Sequence, residues 1–308
     1  MLSAGRPGKI GDMKVAVTGA SGFLGSALVP SLRGAGHEVI RLVRREPASP
    51  DEVRWDPAAH EVDERGLAGV DAVIHLAGAN LGGRRWTKAY RQKILASRVD
   101  GTTTISNAVA RLDPRPSVLL SASAVGYYGD TGDRVIDESE ARGAGFLADV
   151  VHRWEAPTAT ARASGVRVVQ LRSGIVLAKT GGALKPVLPI FRLGLGGRLG
   201  SGRQYVSWIS LPDELAAIRS LLTSAEISGP VNLTAPGAVT NAEYTKAIGR
   251  AVHRPTVLPV PRVGLRLALD GLADEALLAG QRVRPRVLTE AGFAFAHPDI
   301  DTALRAVL

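Results

Sequence analysis

Glycines recur at every third position in Thr18–Gly25, TGASGFLG: Gly19, Gly22 and Gly25. Lys14–Thr18 (KVAVT) ahead of them reads as a buried strand. Phe23, Leu24, Ala27, Leu28 and Leu32 after them fall at helical spacing. In a turn from a strand into a helix this pattern can hold an anion. Gly19 permits the tight turn, Gly22 lets backbone N–H groups approach a pyrophosphate, and Gly25 lets the helix lie close on the sheet. The free N–H groups of the helix start and its dipole supply the attraction. Ala20, Ser21, Phe23 and Leu24 complete the loop as expected cofactor contacts.

The next strand bears on which dinucleotide is held. Folds that bind NAD usually place an acid about 20 residues past the glycines, where it bonds the ribose hydroxyls. Here the strand ends in IRLVRR, with no acid and with Arg44 and Arg45. A carboxylate would repel a 2′-phosphate, whereas a guanidinium binds one through two hydrogen bonds. The pattern predicts NADP(H) over NAD(H). A third strand, Ala72–Leu76 (AVIHL), runs into small residues at Ala77-Gly78-Ala79. Leu76, Ala77 and Gly78 are therefore expected along the path of the cofactor. His75, inside an apolar run, reads as a core histidine with no part in the chemistry.

These groups need a parallel sheet to bring them to one edge. Glu38–Val43, Ser117–Ser121 and Val166–Leu171 add further apolar strands, and the Pro-free stretch Lys88–Arg111 reads as a long helix. Near-continuous apolar strands alternating with helices predict an α/β fold: a Rossmann-type, doubly wound parallel sheet covered on both faces. After Ser173 glycine and proline become denser, and a smaller C-terminal substrate lobe is expected. The expected division is a flexible leader over 1–12, the NADP(H)-binding domain over 13–175 with later segments returning to it, and the lobe over 176–308. Within the lobe, Pro212–Thr223, Glu243–Val252 and Arg262–Leu278 read as helices and Gly229–Leu233 as a strand. The Leu-rich Arg262–Leu278 suggests a core face first and a homodimer contact second. The Gly-rich Gly194–Gln204 suits a loop that closes over a ligand. Trp208 either stacks on a planar substrate or packs the lobe.

Composition narrows the function classes. The chain has 308 residues, 45% hydrophobic and 22% charged, with net charge +9. Those proportions fit a folded protein with a sizeable core. It contains no cysteine, which excludes disulfides, thiolate metal sites and thiol nucleophiles. The densest basic cluster is Arg84, Arg85, Lys88, Arg91 and Lys93. No nucleic-acid-binding motif accompanies it, so it suggests a solvated helix face or a helix near a cofactor phosphate. The acidic run Asp130, Asp133, Asp137, Glu138 and Glu140 matches no calcium or zinc spacing and reads as a solvated loop. No metal is expected. No apolar run reaches the roughly 18 residues of a membrane span, and the first residues, MLSAGRPGKIGD, lack a signal-peptide core. The expected location is the cytoplasm, the expected partner a small molecule, with neither nucleic acid nor membrane.

Together these segments resemble the extended short-chain dehydrogenase/reductase superfamily, and within it an atypical subgroup, the YfcH-like "epimerase family" proteins related to NAD-dependent epimerases and dehydratases. The similarity runs through Thr18–Gly25, Arg85-Trp86, Ser97-Arg98, Ser121–Gly129 (SASAVGYYG), Trp154-Glu155, Leu171–Leu177 (LRSGIVL), Leu195–Gln204, Ser207-Trp-Ile209, Asn232–Pro236 (NLTAP) and Gln281-Arg-Val283. The resemblance implies NADP(H) held by the glycine loop, Arg44 and the Leu76-Ala77 turn, and also by Arg98 and near Val176.

It also frames the catalytic question. Typical members use a Ser to bind the substrate oxygen, a Tyr as general acid/base, and a Lys one helical turn later that lowers the Tyr pKa. Ser123 fits the first position. Matching Trp154-Glu155 to the family's helix puts Leu147 and Val151 where Tyr and Lys would stand, and neither can move a proton. Tyr127 and Tyr128 are then the candidate proton donors. The first reading of function is an NADP(H)-dependent oxidoreductase acting on a small carbonyl or hydroxyl compound. A second is a non-catalytic NADP(H)-binding sensor or interaction module, and a third a sugar-nucleotide epimerase or dehydratase.

Overall fold

The structure, a computed structural model, describes residues 13–82 and 84–308, and for 268 and 269 the backbone alone. The leader expected over 1–12 lies outside the described residues.

β1 (Lys14–Thr18) passes through the glycine turn into α1 (Phe23–Gly34), which returns to β2 (Glu38–Val43). β3 (Glu52–Asp56) and β4 (Glu61–Val62) extend that edge, and β5 (Ala72–His75) crosses to the other side of β1. α2 (Lys88–Arg111) leads to β6 (Val118–Ala124). β7 (Val135–Ile136), α3 (Phe146–Glu155) and α4 (Thr158–Ala163) then precede β8 (Arg167–Ser173). β9 (Ile175–Ala178), β10 (Gly181–Gly182), α5 (Leu184–Arg192), β11 (Tyr205–Val206) and β12 (Trp208–Ser210) build the second region. α6 (Leu211–Thr223) brings the chain back to the main sheet as β13 (Gly229–Leu233). β14 (Val239–Thr240), α7 (Asn241–Ala251), α8 (Arg262–Leu269), β15 (Arg282–Val283), α9 (Arg286–Glu290) and α10 (Ile300–Val307) complete it.

The main sheet has the order β13-β8-β6-β5-β1-β2-β3-β4. Every pairing from β13 to β3 is parallel; only β4 runs against its neighbour. Successive residues of a strand face opposite sides, and both sides are covered. Val15, Val17 and Leu120 pack with Leu28 of α1 and Ile218 and Leu221 of α6. Ala16, Val73 and Leu119 pack with Ile105 and Val109 of α2. A third core, around Leu177, Leu188, Trp208, Ile248 and Leu304, fills the second region. Register places the site: Thr18 lies level with Leu42 and His75, and His75 level with Ser121. The glycine turn, the arginines after β2 and the turn after β5 therefore leave the sheet at one edge. The strand order reverses there, between β1 and β5, where open α/β sheets hold their ligands.

Two expectations need correction. Arg262–Leu278 is not one core helix. α8 ends at Leu269, Asp270 takes φ +52, and a separate π-helical turn covers Ala273–Leu277. Leu265 is buried, but Val263 and Leu267, one turn apart, are 67% and 73% exposed. The acidic run is not wholly solvated. Asp137 is buried against Arg284, and Glu138 accepts the N–H groups of Asn232 and Val287. Asp137 also accepts from the nearby Ser139, but Asn232, Arg284 and Val287 lie some 90 or more positions away along the chain, so local spacing carries no sign of them. No helix among the described residues is long and apolar enough to cross a membrane.

Candidate functional site

The glycine turn is as tight as its spacing requires. Gly19 sits at φ +68, and a Cβ there would lie 2.9 Å from Ala77 N. A Cβ on Gly25 would lie 2.2 Å from Gly19 O and 2.7 Å from Ala20 Cα. No side chain fits either place without moving backbone, so α1 starts directly against the turn. Ala20, Ser21 and Gly22 line a groove of about 970 Å³ together with Arg41, Arg44, Arg45, Leu76, Ala77, Gly78, Arg84 and Lys93. Phe23 instead lines a separate depression beside β10, where Gly181 leaves room for its ring. Leu24 packs into the core below.

Residues 76–79 are held from two sides. Thr18 Oγ1 accepts the N–H groups of Leu76 and Ala77 at 3.1 and 3.2 Å. The same hydroxyl lies 2.8 Å from His75 Nδ1. His75 is fully buried, and burial pulls its pKa down to about 4, so the ring is neutral. On the far side, Ser97 Oγ accepts from Ala79 N at 3.1 Å, and Arg98 Nη1 donates to Ala79 O at 3.0 Å. Arg98 is buried and stacks over Trp154 at 4.8 Å. It has no carboxylate partner among the described residues, and burial lowers its pKa to about 10. Thr18 and Ser97 are positioning residues that spacing arguments pass over. Both are small hydroxyls whose partners exist only once the strands are side by side.

The two arginines after β2 differ in their surroundings. Arg45 donates to both oxygens of Glu52, at 2.7 and 2.6 Å, and Glu52 is almost buried. Arg41 is likewise bound to Asp51 through Nε and Nη2. Arg44 is exposed and makes no ion pair or hydrogen bond among the described residues. Arg44 thus remains free for an anion, as do Arg84 and Lys93 elsewhere along the groove among the described residues, and the acid that neutralises Arg45 comes from β3.

Past Asn80, starting from Leu81 and Arg98, lies a largely apolar cavity of about 300 Å³. Leu81, Arg98, Gly126, Leu147, Val151, Ser173, Ser207, Tyr244 and Glu275 are among its walls. Gly197, Leu199 and Gln204 of the Gly-rich loop line it too, and Gln204 is tied to Leu199 O and Leu277 O. Leu147 and Val151 face Gly126 from α3, within 4 Å of where its Cβ would be. The wall that a Tyr–Lys pair would occupy is aliphatic. Val176 is buried in β9, next to the wall residue Ile175.

Ser123, Tyr127 and Tyr128 come together in a network outside the cavity lining. Ser123 Oγ donates to Glu155 Oε1 at 2.5 Å, and Arg172 binds both oxygens of Glu155. Arg172 Nη1 also donates to the Tyr128 hydroxyl, which donates to Asn232 Oδ1 at 2.8 Å. Tyr128 is buried, and burial raises its pKa. The ring of Tyr127 lies 3.5 Å from the Arg172 guanidinium carbon. Trp208 is fully buried and donates to Gly237 O, so it packs the second region.

Comparison with known proteins agrees with this arrangement. Residues 260–307 match a domain of unknown function, DUF1731. An epimerase family protein of Mycobacterium bovis, Mb2239, is 51% identical over 290 residues, covering 94% of this chain and 96% of that one. The epimerase family protein YfhF of Bacillus subtilis is 36% identical over 96% of this chain and 98% of its own. The crystal structure of the human epimerase family protein SDR39U1, solved with NADPH, superposes with a TM-score of 0.89 at 33% identity, covering 96% of this chain and 99% of that one. A UDP-N-acetylglucosamine 4-epimerase from Bacillus cereus, at 18% identity and TM-score 0.74, shares the fold. Residues 15–185, which carry the glycine turn, the arginines and the turn after β5, match the NAD dependent epimerase/dehydratase family, and to that family the chain belongs.

Proposed function

We propose that this protein is an NADP(H)-dependent oxidoreductase acting on a small carbonyl or hydroxyl compound in the cytoplasm. The observation that carries the reading is the groove. Its glycine turn carries no side chain at 19, 22 or 25, Arg44 stands unpaired just past the end of β2, and the acid in its lining, Glu52, is neutralised by Arg45. In this reading residues 19–25 hold the pyrophosphate, Arg44 binds the 2′-phosphate, and Leu76–Gly78 with Arg98 guide the cofactor towards the apolar cavity. The NADPH of the human relative supports the assignment. When bound, that cofactor supplies or accepts a hydride; the chain must orient it, exclude water and manage one proton.

The cavity supports a substrate with an apolar body. A space of about 300 Å³ with largely apolar walls and the carboxylate of Glu275 among them disfavours a nucleotide diphosphate sugar. Substrate here is a small molecule rather than nucleic acid or a membrane. The aliphatic wall at Leu147 and Val151 favours a second reading, a sensor that binds NADP(H) without turning it over. Fluorescence titration with NADPH and NADH, followed by a carbonyl panel read out as NADPH consumption, separates the two. Turnover of an apolar aldehyde or ketone is the expected result. Tight NADPH binding with no turnover across the panel would leave the sensor, and no binding of either dinucleotide would remove both.

A further inference from the structure

Glu214 is an acid that this reading leaves without a task. It stands in the first turn of α6 with no solvent exposure. Ser173 Oγ lies 2.6 Å from its Oε1, and its Oε2 has no partner. No cation faces it. α6 packs on α1, β6, β9 and β12, and those strands carry no ionisable side chain. On α1, Arg33 is turned to Asp51. On α6 itself, Arg219 donates to Ser31, and Asp213 accepts the N–H groups of Ala296 and His297, whose ring meets Ser210. On β8, Arg172 serves Glu155, and Arg167 donates to the carbonyls of Leu221 and Leu222 at the far end of α6.

Two effects compete at this carboxyl. The dipole of α6 favours the anion, but only modestly. Holding an unpaired carboxylate out of water costs far more. Burial wins, and it pushes the acid up to about 8. Ser173 ends β8 half-buried, and it is a wall residue of the apolar cavity. The serine therefore joins the cavity to a buried acid.

We propose that Ser173 and Glu214 deliver the proton that a carbonyl compound in this cavity takes up on reduction. Ser173 touches the compound; Glu214 acts through it as a positioning and proton-holding residue. The proposal rests on the reductase reading above. The carbonyl carbon receives a hydride from NADPH, leaving NADP⁺, and the C=O π pair moves onto oxygen. That oxygen takes the Ser173 hydroxyl proton. The serine oxygen takes the proton of the Glu214 acid across the 2.6 Å contact. An alcohol and a Glu214 carboxylate result, and a solvent proton restores the acid. This supplies the step for which Leu147 and Val151 have no proton.

The test begins without turnover. Difference infrared spectra of the apoprotein, wild type against Glu214→Gln, are expected to show a protonated carboxyl band at neutral pH that fades as pH passes about 8. Its absence at neutral pH overturns the proposal. NADPH titration should give similar affinities for wild type, Glu214→Gln and Ser173→Ala. Failure of all three to bind sinks the reductase reading instead, while the infrared result still decides the state of the acid.

With NADPH and phenanthrenequinone as carbonyl probe, the wild-type rate should fall as pH rises through about 8. Glu214→Gln should lose about 100-fold and lose that pH limb. Ser173→Ala should lose a similar factor, and Ser173→Thr, which keeps the hydroxyl, should recover most of it. If Glu214→Gln does not fold, the two serine variants carry the kinetic comparison, and the wild-type band, followed by pH and by carboxyl isotope labelling, carries the infrared one. An unchanged pH limb in Glu214→Gln, a loss confined to Tyr127→Phe, or a wild type that binds NADPH yet reduces no quinone would each overturn it.

Discussion

Arg44 and Arg45 are neighbours of the same type, yet their surroundings separate their roles. Arg45 holds a nearly buried Glu52, so Arg45→Ala should lower thermal stability at that sheet edge, read by differential scanning fluorimetry. Arg44 has no such duty. A charged hydrogen-bonding pair contributes about 1.5–3 kcal/mol, so Arg44→Ala should weaken NADPH about 10- to 100-fold and leave NADH unchanged. Equal losses on both dinucleotides in a fluorescence titration would remove the 2′-phosphate assignment. Ser123 and Tyr128 show the same dependence on surroundings. Their hydroxyls are already engaged by Glu155, Arg172 and Asn232.

Among the elements, the junction of β1 and α1 has the least room for change. A Cβ at Gly25 meets backbone atoms of Gly19 and Ala20, which cannot rotate away. Gly25→Ala should therefore lift the start of α1 off the turn, costing about 1–3 kcal/mol of stability and most of the NADPH affinity. Gly34, at the end of α1, has nothing within 4 Å. Gly34→Ala should leave binding intact and stability equal or slightly higher. Urea midpoints and cofactor titration on the two variants check the contrast. α2 takes part in the site less visibly. Its Ser97 and Arg98 grip both backbone groups of Ala79, so the long helix sets the loop along which the cofactor would pass.

At the scale of the whole molecule, His75 and Glu214 are buried titratable groups with opposing effects on stability between about pH 4 and about 8. The ring of His75 is held neutral down to about 4 in the fold but protonates near 6.5 when unfolded. The unfolded state then binds the extra proton, and stability rises with pH across that window. Glu214 keeps its proton up to about 8 in the fold but loses it near 4.5 when unfolded. Here the native state binds the extra proton, and stability falls with rising pH between those values. The slopes oppose each other between 4.5 and 6.5, and above that only the Glu214 slope remains. Urea midpoints should decline from pH 6.5 to about 8 in the wild type and stay level in Glu214→Gln. A decline that persists in the variant would assign it to another group. The C-terminal segment is also bound into the fold. β15 pairs with β7, Asp130 accepts from Gly280, and Asp137 holds Arg284, so one wall of the cavity depends on contacts made 150 positions apart.

Much of this was legible from residue order alone. The bounds of β1, β2, α2 and β13 coincide with their apolar runs, and the glycine turn lies where its spacing puts it. Such features follow from sterics and periodicity among residues a few positions apart. The β3–β4 edge escaped notice, as did the neutralisation of Arg45, the burial of Asp137 and Glu138, and the solitude of Glu214. Each depends on what a folded chain brings alongside from far away. A side chain's charge state and freedom are set by its neighbours in space, and only tertiary packing chooses those neighbours.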